Sequence, residues 1–183
     1  VLAWHVDYWD YLGWKDTFGS KEATERQKRY AKARGLKGLQ TPHFFVANRP
    51  VRDVLPAIRE EAGRKAPFAI GGSAVLGKGS VVFTGTVKAV GEGRGEGATV
   101  AAVLFARKSE TKCDAGENKG KTLVEYYAVV GVGKPVTLAS VLKEGIKAEF
   151  PTKEAGGNLG VAILVEDPGR METLECAAFP VSG

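Results

Sequence analysis

Thirteen consecutive positions, Trp4-His5-Val6-Asp7-Tyr8-Trp9-Asp10-Tyr11-Leu12-Gly13-Trp14-Lys15-Asp16, hold all 3 tryptophans of the chain, with Tyr8, Tyr11 and one of its 2 histidines. Aromatic rings with polar tips give large contact area at little cost in side-chain entropy, which suits pockets and interfaces. Asp7, Asp10, Lys15 and Asp16 set charges among the rings. Two readings stay open: the tryptophans close the edge of a core, or they line a pocket for a ligand or partner. His5 and Asp7 lie two apart, on one face of an extended chain, an arrangement open to a metal site with Asp10 and Asp16 as further oxygen donors, or to a buried imidazole paired with a carboxylate. The paired imidazole is the commoner outcome, and no metal is assigned.

Other chemistry is thinly signalled. Cys113 and Cys176 form no local Cys-x-x-Cys and no cysteine-rich zinc pattern. They could join in one disulfide in an oxidising compartment or remain two separate thiols. No Gly-x-Ser-x-Gly and no phosphate-binding Walker loop occurs, and the glycine-rich stretch Gly91 to Gly97 joins two strand-like runs. No catalytic residue and no cofactor is assigned.

The elements that would position the aromatic cluster follow from periodicity and punctuation. Val1 to Tyr8 has the length and composition of a buried strand. Ser20 can cap a helix to about Arg34, with acids early, bases late and Gly35 as the stop, and its charges fall into the pairs Glu22 with Arg26 and Glu25 with Arg29. Its apolar face is thin, so it should lie on a sheet. Phe44 to Ala47 reads as a strand, Asn48-Arg49-Pro50 as a turn, and Asp53 as the cap of a helix from Val54 to about Ala62 with Pro56 in its first turn. From Gly71 the composition shifts: Gly71-Gly72-Ser73 reads as flexible punctuation, and Val81 to Val90 with Ala98 to Ala106 as a hairpin. Further strands are expected at Tyr126 to Val132, Pro135 to Leu138, Gly160 to Glu166 and Glu172 to Phe179, with a short helix from Ser140. The expected architecture is α/β followed by a mainly antiparallel, sandwich-like β part, divided as 1–70 and 71–183.

A chain of 183 residues with 44% hydrophobic and 26% charged content can bury a core without staples, and it holds no apolar run of membrane-spanning length. The net charge of +5 comes from bases interleaved with acids, which argues for a solvated surface over nucleic-acid binding while leaving room for an acidic protein partner or an anionic lipid surface.

The string from Trp4 to Asp16 resembles the signature of a bacterial family of predicted secreted proteins of unknown function, built from a thioredoxin-like domain followed by a β-rich domain. Thr41-Pro42 ahead of His43-Phe44-Phe45-Val46 resembles the cis-proline strand of thioredoxin-like folds. Gly116-Glu117-Asn118-Lys119-Gly120-Lys121-Thr122-Leu123 is similar to the family's Gly-Glu-Asn-x-Gly-Arg-Thr-Leu. Val124-Glu125-Tyr126-Tyr127 departs from the family's Pro-His-Arg-Asn, and His43 from its usual polar amide, the latter a packing or hydrogen-bonding variant.

The resemblance implies that residues 1–70 form a thioredoxin-like domain lacking its first strand and the helix that carries the Cys-x-x-Cys. It also implies a secreted or periplasmic location, and the chain opens on Val1 rather than on a leader pattern, as if processed or begun further upstream. The missing strand would belong between Val1 to Tyr8 and Phe44 to Ala47, so the expectation is that these two segments do not pair directly. An upstream segment or another chain should stand between them. The function implied is a binding or accessory subunit of a protein assembly, with the surface Trp4, His5, Asp7, Tyr8, Trp9, Asp10, Tyr11, Trp14, Lys15, Asp16 and Pro42. The alternative is a thiol–disulfide oxidoreductase whose cysteine pair lies upstream of Val1.

Overall fold

The structure, a computed structural model, describes residues 1–47, 49–91, 95–153 and 156–183. The opening residues do not form the expected strand. Ala3 and Val6 make isolated parallel bridges, to Ala128 and Ser20, and a 3₁₀ turn at Asp10–Leu12 follows. A strand needs a partner along its length; here the partner of Ala3 gives way to a different one at Val6, and the ladder never propagates.

Helix α1 (Lys21–Ala33) is capped by Ser20, whose hydroxyl accepts the Ala23 N–H at 3.1 Å. Gly35 ends it at φ +62°, and the Leu36 N–H returns to the Ala31 carbonyl at 2.9 Å. The thin apolar face is Ala23, Tyr30 and Ala31, completed by buried Thr24 and Gln27. The expected surface pairs Glu22–Arg26 and Glu25–Arg29 give way to others: Glu25 takes Lys28 at 2.7 Å, and Arg26 turns inward to Glu166.

β1 (Phe44–Val46) and β2 (Arg49–Val51) form a two-stranded hairpin. Arg49 and Pro50, expected in a turn, are therefore strand residues, and Asn48 lies outside the described residues. Asp53 stands at the N-cap of α2 (Val54–Ala62) but its side chain makes no capping bond, and no residue of α2 is buried.

The rest of the chain makes the protein mostly β. β3 (Phe68–Leu76), β4 (Ser80–Ala89), β5 (Thr99–Lys112), β6 (Thr122–Val132), β8 (Ile146–Pro151), β9 (Leu159–Asp167) and β10 (Glu172–Ser182) belong to one 8-stranded sheet in the order β6-β5-β9-β10-β3-β4-β8, with β7 (Val136–Thr137) beside β5. Every pairing is antiparallel except β10 with β3, which makes the sheet mixed. Helix α3 (Leu138–Glu144) follows β7, near the expected Ser140.

Two expectations are corrected. Gly71-Gly72-Ser73 is strand interior in β3: a Cβ on Gly72 would stand 2.5 Å from Phe83 Cζ, so the glycine is there to let a ring lie against the backbone. The runs read as a hairpin are β4 and β5, which do not pair; β4 lies between β3 and β8, and β5 between β6 and β9. Residues 92–94 of the glycine-rich connection lie outside the described residues.

The sheet curls so that Phe68, Val81 and Phe83 from one half meet Val100, Leu104, Val161 and Ile163 from the other in one core, replacing two separate sheets. A second cluster, Val103, Phe105, Ala162 and Leu164, lies on the outer face of β5 and β9 and is covered by Leu2 and Trp4. The opening segment is held there by the Ala3 N–H donating to the Tyr127 carbonyl at 2.8 Å and its carbonyl accepting the Val129 N–H at 2.9 Å.

Candidate binding groove

Because β9 carries apolar residues on both faces, something has to cover its outer side. The opening segment and α1 cover part of it. Arg26 ties the two: its guanidinium lies 4.5 Å from the Trp4 ring centroid, donates to the Tyr30 hydroxyl at 2.7 Å, and forms a two-armed ion pair with Glu166 of β9. Burial alone would lower the Arg26 pKa; the Glu166 carboxylate outweighs it and holds the arginine above its ordinary value. Burial likewise pushes Tyr30 well above the usual tyrosine range.

Beside this covered region the outer face stays open as a groove of about 1560 Å³. It is lined by Leu2, Trp4 and Val6 of the opening segment, by Phe44, Phe45 and Val46 of β1 with Val54 and Ile58 of α2, and by Ala162, Leu164 and Ala178 of β9 and β10. Phe45 stacks on Tyr30 at 4.9 Å between ring centroids, and His43 packs against Phe45 at 4.2 Å. The Thr41–Pro42 peptide is cis. His43 Nδ1 is buried and has no hydrogen-bond partner among the described residues, and burial lowers the pKa of the imidazole.

The aromatic loop adds Trp9, Asp10, Leu12, Trp14 and Asp16 to the lining, and hydrogen bonds made mostly between side chains fix its course. The Asp7 carboxylate accepts the Thr24 hydroxyl at 2.6 Å, the Tyr8 hydroxyl donates to the Gln27 amide oxygen at 3.1 Å, and Gln27 donates on to the Gln40 carbonyl at 2.8 Å. Trp9 Nε1 donates to the Thr41 hydroxyl at 2.9 Å. His5 pairs with Asp16 at 2.7 Å, not with Asp7, and Asp16 also accepts the Phe18 N–H at 2.8 Å. The hydrogen bond to Asp16 raises the His5 pKa against the opposing pull of burial. Burial would raise Asp16, but the bonds from His5 and from the Phe18 and Gly19 amides hold it below the usual carboxylate range. Glu125 of β6, near this pair, is raised mainly by burial.

The two distant motif strings meet here. Gly116, at φ +67°, approaches Trp14 so closely that a Cβ would stand 2.9 Å from Trp14 Cβ, and Glu117 and Asn118 join the groove lining.

Of the residues singled out from sequence, Trp4, His5, Trp9, Asp10, Trp14, Asp16 and Pro42 line the groove. Asp7 and Tyr8 turn to α1, and Tyr11 and Lys15 are exposed outside the lining. Sequence reasoning missed the part of the lining given by β1, α2 and the β9–β10 surface. It also missed Arg26, whose only signal was its place four residues before Tyr30 on the apolar face of α1.

Among the described residues no group of three or more His, Cys, Asp or Glu side chains is placed to hold a metal ion. Cys113 is buried and Cys176 exposed at the groove, as two separate thiols. No helix among them is long and apolar enough to cross a membrane.

A family model described as "Protein of unknown function (DUF1223)" matches residues 1–166. A crystal structure of a protein from Agrobacterium tumefaciens, a structural genomics target, is similar over 97% of this chain and 78% of that one, at 24% identity and a TM-score of 0.62. HBP35 of Porphyromonas gingivalis is similar over 87% of this chain and 58% of that one, at 15% identity and a TM-score of 0.60. Both are likenesses of fold. No curated protein matches the chain.

Proposed function

We propose that this chain, which belongs to the DUF1223 family of proteins of unknown function, is a secreted or periplasmic binding or accessory subunit of a protein assembly. In this reading residues 1–70 are a thioredoxin-like domain, residues 71–183 a β-rich one, and a protein partner is held in the groove. The observation that carries the reading is the groove: about 1560 Å³, with Leu2, Trp4, Phe44, Phe45, Ala162 and Leu164 giving it aromatic and aliphatic anchors and the aromatic loop joining the lining. Grooves of this character bind partners through aromatic and aliphatic anchors. The wall made by β1 and α2 adds support, because α2 has no buried residue although Val54 and Ile58 lie on the groove side.

A photo-crosslinking residue at Phe44, in the protein isolated from its own source, tests this. The expected result is one adduct with a defined protein, lost when Ile58 is changed to Asp. Monomer alone, in membrane-bound and soluble fractions alike, defeats the reading.

The placing of Pro42 on the groove wall favours a second reading, a thiol–disulfide oxidoreductase whose cysteine pair lies upstream of Val1. Intact mass of the native polypeptide and reduction of a model disulfide separate the two.

A further inference from the structure

We infer that β8 is a self-complementary edge through which two copies of this chain pair, antiparallel about a two-fold axis at Ala148, so that Lys147 of each copy stands opposite Glu149 of the other. No residue of β8 lines the groove, and the inference is independent of the binding reading above.

The main chain fixes what β8 has to offer. It ends the sheet and pairs only with β4. Just beyond it the Thr152 N–H donates to the Gly79 carbonyl at 3.0 Å, on the β4 side. Successive residues of an extended chain direct their N–H and C=O to opposite sides, so Phe150, Ala148 and Ile146 face β4 as Thr152 does, while Pro151, Glu149 and Lys147 face outward. The register agrees. Pro151 stands opposite Ser80, and with no N–H it cannot belong to a doubly bonded pair. The outward groups of Lys147 and Glu149 have no backbone partner among the described residues. An open cleft of about 280 Å³ adjoins this edge, with Lys147, Ala148 and Glu149 in its lining.

Charges and a proline usually blunt an edge strand. On β8 they are placed to select one partner. Lys147 and Glu149 are both exposed and share the outer face of the strand. In an antiparallel pair centred on Ala148, Lys147 of one copy and Glu149 of the other exchange both main-chain bonds and set opposite charges side by side, and the two-fold axis repeats the match. Centring on Lys147 or on Glu149 would instead set that residue against its own copy, like charge against like. Lys147 forms no ion pair among the described residues. Glu149 accepts the Ser80 hydroxyl through Oε1 at 2.8 Å, which leaves Oε2 for a lysine. Pro151 falls opposite Gly145 and, lacking an N–H, ends the ladder. The pair consumes the same edge of both copies and closes at two.

Sedimentation of the natural full-length polypeptide from about 1 μM to about 1 mM tests this. The contact is short, so the expected result is a reversible monomer–dimer equilibrium in the upper part of that range. Hydrogen exchange at the Lys147 and Glu149 amides should slow as the dimer fills. K147E and E149K each oppose like charges, and each should weaken self-association about tenfold or more. An equimolar mixture of the two, and the double variant K147E/E149K, restore opposite charges and should associate as the native protein does. Both positions are exposed, so melting at low concentration should be unchanged in every variant. Monomer at all concentrations overturns the inference, as does association that K147E leaves intact, or a mixture of the two variants that stays monomeric. Dimers in which both amides still exchange freely place the contact elsewhere and overturn it too.

Discussion

The Arg26 guanidinium serves three neighbours, Trp4, Tyr30 and Glu166, and through them joins the opening segment, α1 and β9. Removing one partner of a buried pair strands the other, so Arg26→Ala should lose about 3–5 kcal/mol in urea denaturation, and the double change R26M/E166L distinctly less. His5 and Asp16 make a gentler clasp with a definite pH dependence. His5 is raised above its ordinary 6.5, so the folded state holds that proton more tightly. Its contribution is complete below pH 6.5 and is lost as pH rises through the raised value. Asp16 is held below its ordinary 3.8, so its contribution is complete above pH 3.8 and is lost as pH falls through the lowered value. In Asp16→Asn the largest raising influence on His5 disappears and burial prevails. NMR titration should then place His5 below 6.5, against above it in the native protein. The crowding of aromatic and charged residues between Trp4 and Asp16 was legible because composition alone exposes it. The choice of Asp16 over Asp7 was not, because it depends on a loop whose path is set by Thr24, Gln27 and Thr41.

Among the elements, α1 was legible almost to the residue because its signals are local: a serine cap, a period-3.6 apolar face and a glycine stop. β3 was hidden for the opposite reason. Its Gly72 answers to Phe83 and Thr84 on a neighbouring strand, and no local pattern distinguishes a glycine that yields to a ring from one that bends a loop. Gly72→Ala would bring a Cβ to 2.5 Å from Phe83 Cζ and 2.7 Å from the Thr84 carbonyl, the latter being backbone that cannot swing away. A loss of about 1–3 kcal/mol is expected in equilibrium denaturation. The misread β4–β5 hairpin has a similar origin: consecutive strands commonly pair, but here β4 has β3 and β8 beside it and β5 has β6 and β9. The segment Val1 to Tyr8 has the composition of a strand without a ladder to join, so its content was legible and its conformation was not.

At the scale of the molecule, burial is unevenly shared. All seven residues from Leu159 to Val165 are buried, whereas β1, β2 and α2 contain no buried residue. Cooperative protection follows buried packing, so native-state hydrogen exchange should find β9 amides opening only with global unfolding and the α2 amides exchanging by local opening far sooner. The same contrast explains why the β-rich character of the chain could be read from sequence while the groove could not: strands announce themselves residue by residue, but a space between elements has no residue of its own. The aromatic and aliphatic lining of this space has one more consequence. By mass action, whatever fills the groove should raise the melting temperature in proportion to the logarithm of its excess over its dissociation constant.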